Sequence, residues 1–209
     1  MASEADFLTP LLGALRDLLT WWKAAGVEGV IIGGLAVALI GRPRVTRDLD
    51  GLVWLDEARW EVFLETSKKY GFEARQANVL ALAREARVLL LRHLATGIDI
   101  DVAFAALPFE REALDRAQRL EIQGISVPLP TPEDLIIMKA IAHRARDRVD
   151  VEGLIDTHPK LNRSRVRKYV REFANLLEAP ELAEDIERML SRRRGSSGRR
   201  KPPPKRGNK

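Results

Sequence analysis

Asp48 and Asp50 stand two residues apart in Asp48-Leu49-Asp50-Gly51-Leu52-Val53-Trp54, a run that reads as a strand. Side chains at i and i+2 of a strand share a face, so the two carboxylates project together. Held side by side they repel each other, and a divalent cation between them relieves that cost. The same spacing recurs at Asp99-Ile100-Asp101, after a turn expected at Gly97. Thirteen residues separate Asp48 from the upstream pair Gly33-Gly34. A glycine turn lets backbone N–H groups approach an anion, because no side chain blocks them. Glycines beside paired acids suit a metal-dependent phosphate chemistry. A Gly-Gly pair alone occurs in many turns, and Asp-x-Asp alone at many strand ends. Their order and spacing carry the argument.

Several elements must hold these residues. Phe7, Leu11, Leu12, Leu15, Leu18, Leu19 and Trp22 fall on one helix face over 7–25, and Thr9-Pro10 is an alternative start for that helix. Val27–Ile32 reads as a buried strand ending at the glycine pair, and Leu35–Ile40 as a short helix. Gly41-Arg42-Pro43-Arg44 breaks it before a strand over 48–55. Asp56 caps a helix to about Tyr70, which Gly71 ends. Phe72–Arg75 is a short strand, and 76–85 has no clear pattern. Val88–Leu94 and Ile98–Phe104 form a hairpin around Ala95-Thr96-Gly97. Pro108 opens a helix to about Arg119, and a second hairpin turns at Gly124. Thr131-Pro132-Glu133-Asp134 starts a helix, with Thr131 as cap and acids near the positive dipole end. Helices over 147–156, 163–177 and 183–193 follow. The fold class is α+β over 1–129, then a helical segment over 130–190, then a tail over 191–209.

The 209 residues fit one domain, or one domain with a small helical extension. Hydrophobic residues make up 45%, enough for a core. There is no cysteine, which excludes disulfides and thiolate metal sites and agrees with a reducing cytoplasm. Met1–Asp6 is acidic and lacks the basic start of a secretory signal. The longest apolar run, Val30–Ile40, is too short for a bilayer, so a soluble, cytoplasmic protein without a membrane partner is expected. The net charge of +5 is concentrated in the tail, where 191–209 holds nine Lys and Arg and no acid. Removing those nine from 35 leaves 26 against 30 Asp and Glu, a net of −4. The tail is rich in Pro, Gly and Ser and is expected to be disordered. It reads either as a handle for RNA or another polyanion or as a solvated terminus.

Gly33-Gly34 followed by Arg44-Val45-Thr46-Arg47-Asp48-Leu49-Asp50 resembles the signature of the DNA polymerase β-type nucleotidyltransferase superfamily. The Arg-x-Thr-x-Asp-x-Asp form is most similar to minimal bacterial nucleotidyltransferases, including the AbiEii abortive-infection toxin group. Pro132-Glu133-Asp134-Leu135, Lys139 and Arg144-Ala145-Arg146-Asp147-Arg148-Val149-Asp150 resemble the helical motif those proteins carry downstream. The likeness spans 27–156. It implies a mixed β-sheet flanked by helices, followed by a helical C-terminal segment. It also implies two Mg²⁺ ions, with Mn²⁺ as a substitute, held by Asp48 and Asp50 against the triphosphate of an NTP. A third acid on a neighbouring strand positions the attacking group. Asp101, followed by Val102-Ala103-Phe104, fits that pattern better than Asp99, its neighbour or substitute, and both are further metal-ligand candidates beside Asp48 and Asp50. The nucleotide-binding candidates are Gly33, Gly34, Arg44, Thr46 and Lys139. For each side chain a structural role competes: strand propensity and capping for Thr46, exposure for Arg44 and for Arg47, which could likewise contact the triphosphate, and a snorkelling stem for Lys139.

The first expectation is an Mg²⁺-dependent enzyme that moves a nucleoside monophosphate to an acceptor hydroxyl. RNA or tRNA is the favoured acceptor, with a protein or a small molecule left open, and a cognate toxin or antitoxin as partner. Phosphoryl transfer rests on positioning and charge neutralisation, for which carboxylates suffice. The alternative is a non-catalytic module of the same fold, acting as antitoxin or regulator. A nucleic-acid-binding protein built on the C-terminal helices rests on charge alone. His93, His143 and His158 are too scattered for a zinc site, and no P-loop or nucleophile elbow is present.

Overall fold

The computed structural model describes residues 4–192, with the side chains of 9–192. Helix α1 (Glu4–Ala24) buries Leu11, Ala14, Leu15, Leu18, Trp21 and Trp22, as its apolar spacing requires. Pro10 lies inside it, so the helix begins before the proline. Strand β1 (Glu28–Ile32) runs into α2 (Gly33–Ile40), and β2 (Asp48–Trp54) follows. The helix expected over 56–70 is divided: a 3-10 turn (Glu57–Arg59), α3 (Trp60–Ser67) and a second 3-10 turn (Lys68–Tyr70). Asp56 caps it through the Ala58 N–H, and Gly71 ends it at φ 78°.

Strand β3 (Phe72–Ala74) is followed by α4 (Val79–Ala86), in the stretch that carried no clear pattern. Strands β4 (Val88–His93) and β5 (Asp99–Phe104) form the expected hairpin. Helix α5 (Pro108–Asp115) is shorter than expected, because Gln118 already begins β6 (Gln118–Ile122), which pairs with β7 (Ile125–Leu129). Four helices complete the described chain: α6 (Pro132–Ala142), α7 (Ala145–Thr157), α8 (Arg163–Leu176) and α9 (Pro180–Ser191). The tail from 193 onward lies outside the described residues. None of the described helices is long and apolar enough to cross a membrane.

The main sheet has five strands in the order β1-β2-β5-β4-β3, with β2 and β5 parallel and the other pairs antiparallel. Alternation gives it two unlike faces. Leu49, Leu89, Leu91, Ile100 and Val102 point into the core. There Trp21 stacks on Phe63 and Trp60 on Phe104, at 4.0 and 3.9 Å between ring centroids. Asp48, Asp50, Asp99 and Asp101 occupy the alternate positions. One buried cluster joins the two expected segments, since Leu49, Ile100 and Trp21 share it with Leu135, Leu154 and Val170.

Two buried acids pin the C-terminal helices. Asp134 accepts from Thr131 at 2.6 Å, Arg116 at 3.1 Å and Arg165 at 2.9 Å, tying α6 to α8. Asp185 of α9 receives His143, Arg148 and Arg188. His93 is held by Asp17 and Thr96, and His158 meets the Ile40 carbonyl. All three histidines are thus engaged in joints between elements.

Candidate active site

The strand order brings the acids together. Parallel pairing sets Asp48 opposite Asp99 and Asp50 opposite Asp101, while Ile32, the last residue of β1, lies opposite Asp50. The glycine turn that follows Ile32 therefore arrives beside Asp50. Gly33 has φ +62°, and a Cβ there would overlap the Asp50 carboxylate. A Cβ on Gly34 would press on Thr46 Oγ1 and on Arg44 Nη2. Both glycines thus admit the acid and its neighbours to the N-terminus of α2, where backbone N–H groups carry partial positive charge. Gly34 N–H donates to Asp50 Oδ2 at 3.4 Å, and Thr46 Oγ1 donates to Asp48 Oδ1 at 2.9 Å.

The α6–α7 pair closes the other side. Lys139 Nζ lies 2.6 Å from Asp147 Oδ1 and 3.2 Å from Asp150 Oδ2, and Arg44 Nε lies 3.3 Å from Asp150 Oδ1. Lys139 also acts electrostatically on Asp50. Two cations, Arg44 and Lys139, are thus set near the glycine turn by two buried acids of α7. Arg44 Nε and Asp150 Oδ2 are buried without a hydrogen-bond partner, so this grip is electrostatic and incompletely satisfied.

Charge crowding shows in the acids themselves. Burial pushes the Asp50 carboxyl above the usual carboxylate range, and Asp48 and Asp101 push the same way against Gly34 N–H and Lys139. Burial also pushes Asp101 up; Arg75 pulls it back and Asp48 adds to the rise. Asp99 is different. Arg92 Nε donates to it at 2.7 Å and Arg75 Nη1 lies at 3.3 Å, and the Arg92 hydrogen bond leads in holding its carboxyl low.

The residues singled out in the sequence therefore divide. Asp48, Asp50, Gly33, Gly34, Arg44 and Thr46 converge, Lys139 stands behind them, and Asp101 lies next to Asp50. Asp99 faces two guanidinium groups, and Arg47 is exposed. Arg75 was not singled out, and no local pattern marks it, because its partners sit two strands away. Asp147 and Asp150 belong to the helical motif, but their partners Lys139 and Arg44 lie on other elements.

Among the described residues no three His, Asp or Glu side chains form a cluster able to hold a metal ion unaided. The donor set nevertheless fits Mg²⁺, which takes one or two carboxylates and completes its shell with water and substrate phosphate. Asp48 and Asp50 supply such a pair, and their mutual repulsion favours a cation. A cleft of about 1220 Å³ opens at the opposite end of β1, around Trp22, Gly29, Arg111 and Arg119. It contains none of Asp48, Asp50 and Asp101, so the carboxylates rather than cleft volume define the site.

A family model described as a nucleotidyltransferase of unknown function (DUF6036) matches residues 15–157. No curated protein sequence matches the chain. The antibiotic-resistance factor ANT(2″)-Ia has a similar fold, with a TM-score of 0.58 and 15% identity over 83% of this chain and 96% of that one. An antigenic nucleotidyltransferase-like protein from Paracoccidioides brasiliensis aligns with a TM-score of 0.51 and 16% identity, over 84% and 92% of the two chains. At such identities the likeness speaks to the fold.

Proposed function

The chain belongs to the DUF6036 family of nucleotidyltransferases, and on that premise we propose that it transfers a nucleoside monophosphate from an NTP to an acceptor hydroxyl. The new bond joins the acceptor oxygen to the α-phosphorus, and the bond to the β-phosphate oxygen breaks to release pyrophosphate. The observation that carries this reading is the strand register that sets Asp48, Asp50 and Asp101 on one face beside Gly33-Gly34. Mg²⁺ held by Asp48 and Asp50 and met from the neighbouring strand by Asp101, with Mn²⁺ as a substitute, would supply charge neutralisation at the triphosphate. Gly33 and Gly34 open the α2 N-terminus to phosphate, while Thr46 steadies Asp48. Arg44 and Lys139 neutralise phosphate charge from the α7 side. Asp101 orients the acceptor hydroxyl and takes its proton, a role that its raised proton affinity favours.

RNA, tRNA in particular, is the acceptor we favour. The basic residues of the C-terminal tail support it, since they can neutralise phosphates along a strand. Resemblance to the AbiEii toxin group supports a toxin–antitoxin setting with a cognate protein partner. The test incubates the protein with each NTP radiolabelled at the α-phosphate, Mg²⁺ and total tRNA, alongside the Asp48→Ala/Asp50→Ala variant. Label in RNA with the wild type alone is the expected result. Equal labelling by the variant, with both proteins folded, would overturn the assignment of the site.

A further inference from the structure

Arg75 is a cation that the roles above do not use. It extends the β3–β4 ladder by one residue, its N–H donating to the Leu90 carbonyl at 3.0 Å. Leu90 lies opposite Asp101, and Asp101 opposite Asp50, so Arg75 stands in the same row of the sheet as the two acids. Its guanidinium reaches back across β4. Nη1 lies 3.3 Å from Asp99 Oδ2, and Nη2 donates to Asp101 Oδ1. Asp99 is gripped from its other side by Arg92 Nε at 2.7 Å, so it anchors Arg75 and leaves the second arm on Asp101.

The three acids thus have different partners. Asp48 receives a hydroxyl, Asp50 a backbone N–H, and Asp101 a full positive charge. Arg75 is only 24% exposed, and its Nε is buried without an acceptor. An unsatisfied buried donor costs stability, so the guanidinium is held here by its two carboxylates, Asp99 and Asp101, and not by a complete set of hydrogen bonds. A guanidinium and a divalent ion compete for the same carboxylate oxygens.

We propose that Arg75 is the resident counter-charge of Asp101: it positions the carboxylate before substrate arrives, and its release sets the affinity of the site for a divalent ion. This rests on the reading of Asp48, Asp50 and Asp101 as the acids that meet the cation. Arg75 is a positioning residue, acting through Asp101. Breaking one charged hydrogen bond before an ion can bind is worth about a factor of ten in affinity.

The test is Mn²⁺ binding to the full-length protein, followed by electron paramagnetic resonance of the free ion. Arg75→Gln is expected to bind about tenfold more tightly than the wild type. Arg75→Lys, whose single ammonium cannot span Asp99 and Asp101, is expected to bind about threefold more tightly, and it carries the test if Arg75→Gln does not fold. In an Asp101→Asn background the gain from Arg75→Gln should shrink to about twofold or less. Unchanged or weaker binding in both Arg75 variants overturns the proposal, and so does an undiminished gain without Asp101. Mn²⁺ binding that Asp50→Asn leaves intact, or no Mn²⁺ binding by any form, removes the reading on which the proposal rests. Binding lost in Asp50→Asn yet indifferent to Arg75 removes this proposal alone.

Discussion

Replacing Lys139 by Met separates what this residue does for the fold from what it does for phosphate. Lys139 is 12% exposed and its two carboxylate partners 4% each, so the ammonium has no solvent substitute. Removing one member of a buried ion pair costs about 3–5 kcal/mol, because the remaining charge is left uncompensated. Asp150 keeps Arg44 at 3.3 Å, and Asp147 keeps the Arg144 N–H at 3.3 Å, which argues for the lower end, about 3 kcal/mol. In a chain of this size about 1 kcal/mol lowers Tm by about 2–4 °C, so Lys139→Met should melt about 6–12 °C below the wild type. The assay is calorimetry near neutral pH. Adding Asp147→Asn removes the stranded charge and should restore about half of the loss, while NTP binding stays impaired because no cation has been returned. Melting of Lys139→Met within about 2 °C of the wild type would refute the claim that α6 and α7 are held through this ammonium. Full recovery of NTP binding in the double variant would refute its phosphate role.

Asp50 makes the metal-free protein sensitive to alkali within the acid range. Its carboxyl is raised by burial, Asp48 and Asp101, so between the ordinary Asp pKa and the raised one the folded state holds the extra proton. Stability is therefore full below the unfolded pKa and falls as pH rises through the folded one. Melting in EDTA from about pH 4 to 8 should show this decline, and Asp50→Asn should flatten it and melt higher near neutrality; an equally steep profile in the variant would contradict the cause given. Gly33→Ala forces a side chain at φ +62° onto the Asp50 carboxylate. It should cost about 1–2 kcal/mol in urea unfolding and abolish nucleotide transfer, whereas wild-type turnover would show that Asp50 need not sit over the turn.

The parts of the site that rest on local rules were legible in the sequence. Period-two alternation placed Asp48 with Asp50 and Asp99 with Asp101, because strand geometry repeats every two residues. Capping and turn chemistry placed Thr131 before α6, Gly71 after the Tyr70 turn and the hairpin around Gly97. The early end of α5 escaped, since Gln118–Ile122 becomes a strand only by pairing with β7. So did α4, whose short amphipathic run gains its meaning by packing on β4.

Sequence by itself determined the chemical inventory: two pairs of acids, a glycine turn, a lysine on a helix and a basic terminus. Tertiary structure decided which of these work together. The order β1-β2-β5-β4-β3 sets Asp101 beside Asp50 and lets Arg75 reach it across β4. It also commits Asp99 to Arg92. The Arg144–Asp150 run, able on paper to pair within itself, instead sends Asp147 to Lys139, Asp150 to Lys139 and Arg44, and Arg148 to Asp185. Face and period are properties of a few consecutive bonds, so they are written locally. Charge partners are chosen by which buried groups meet when the strands are ordered and the helices pack, and that choice belongs to the whole chain.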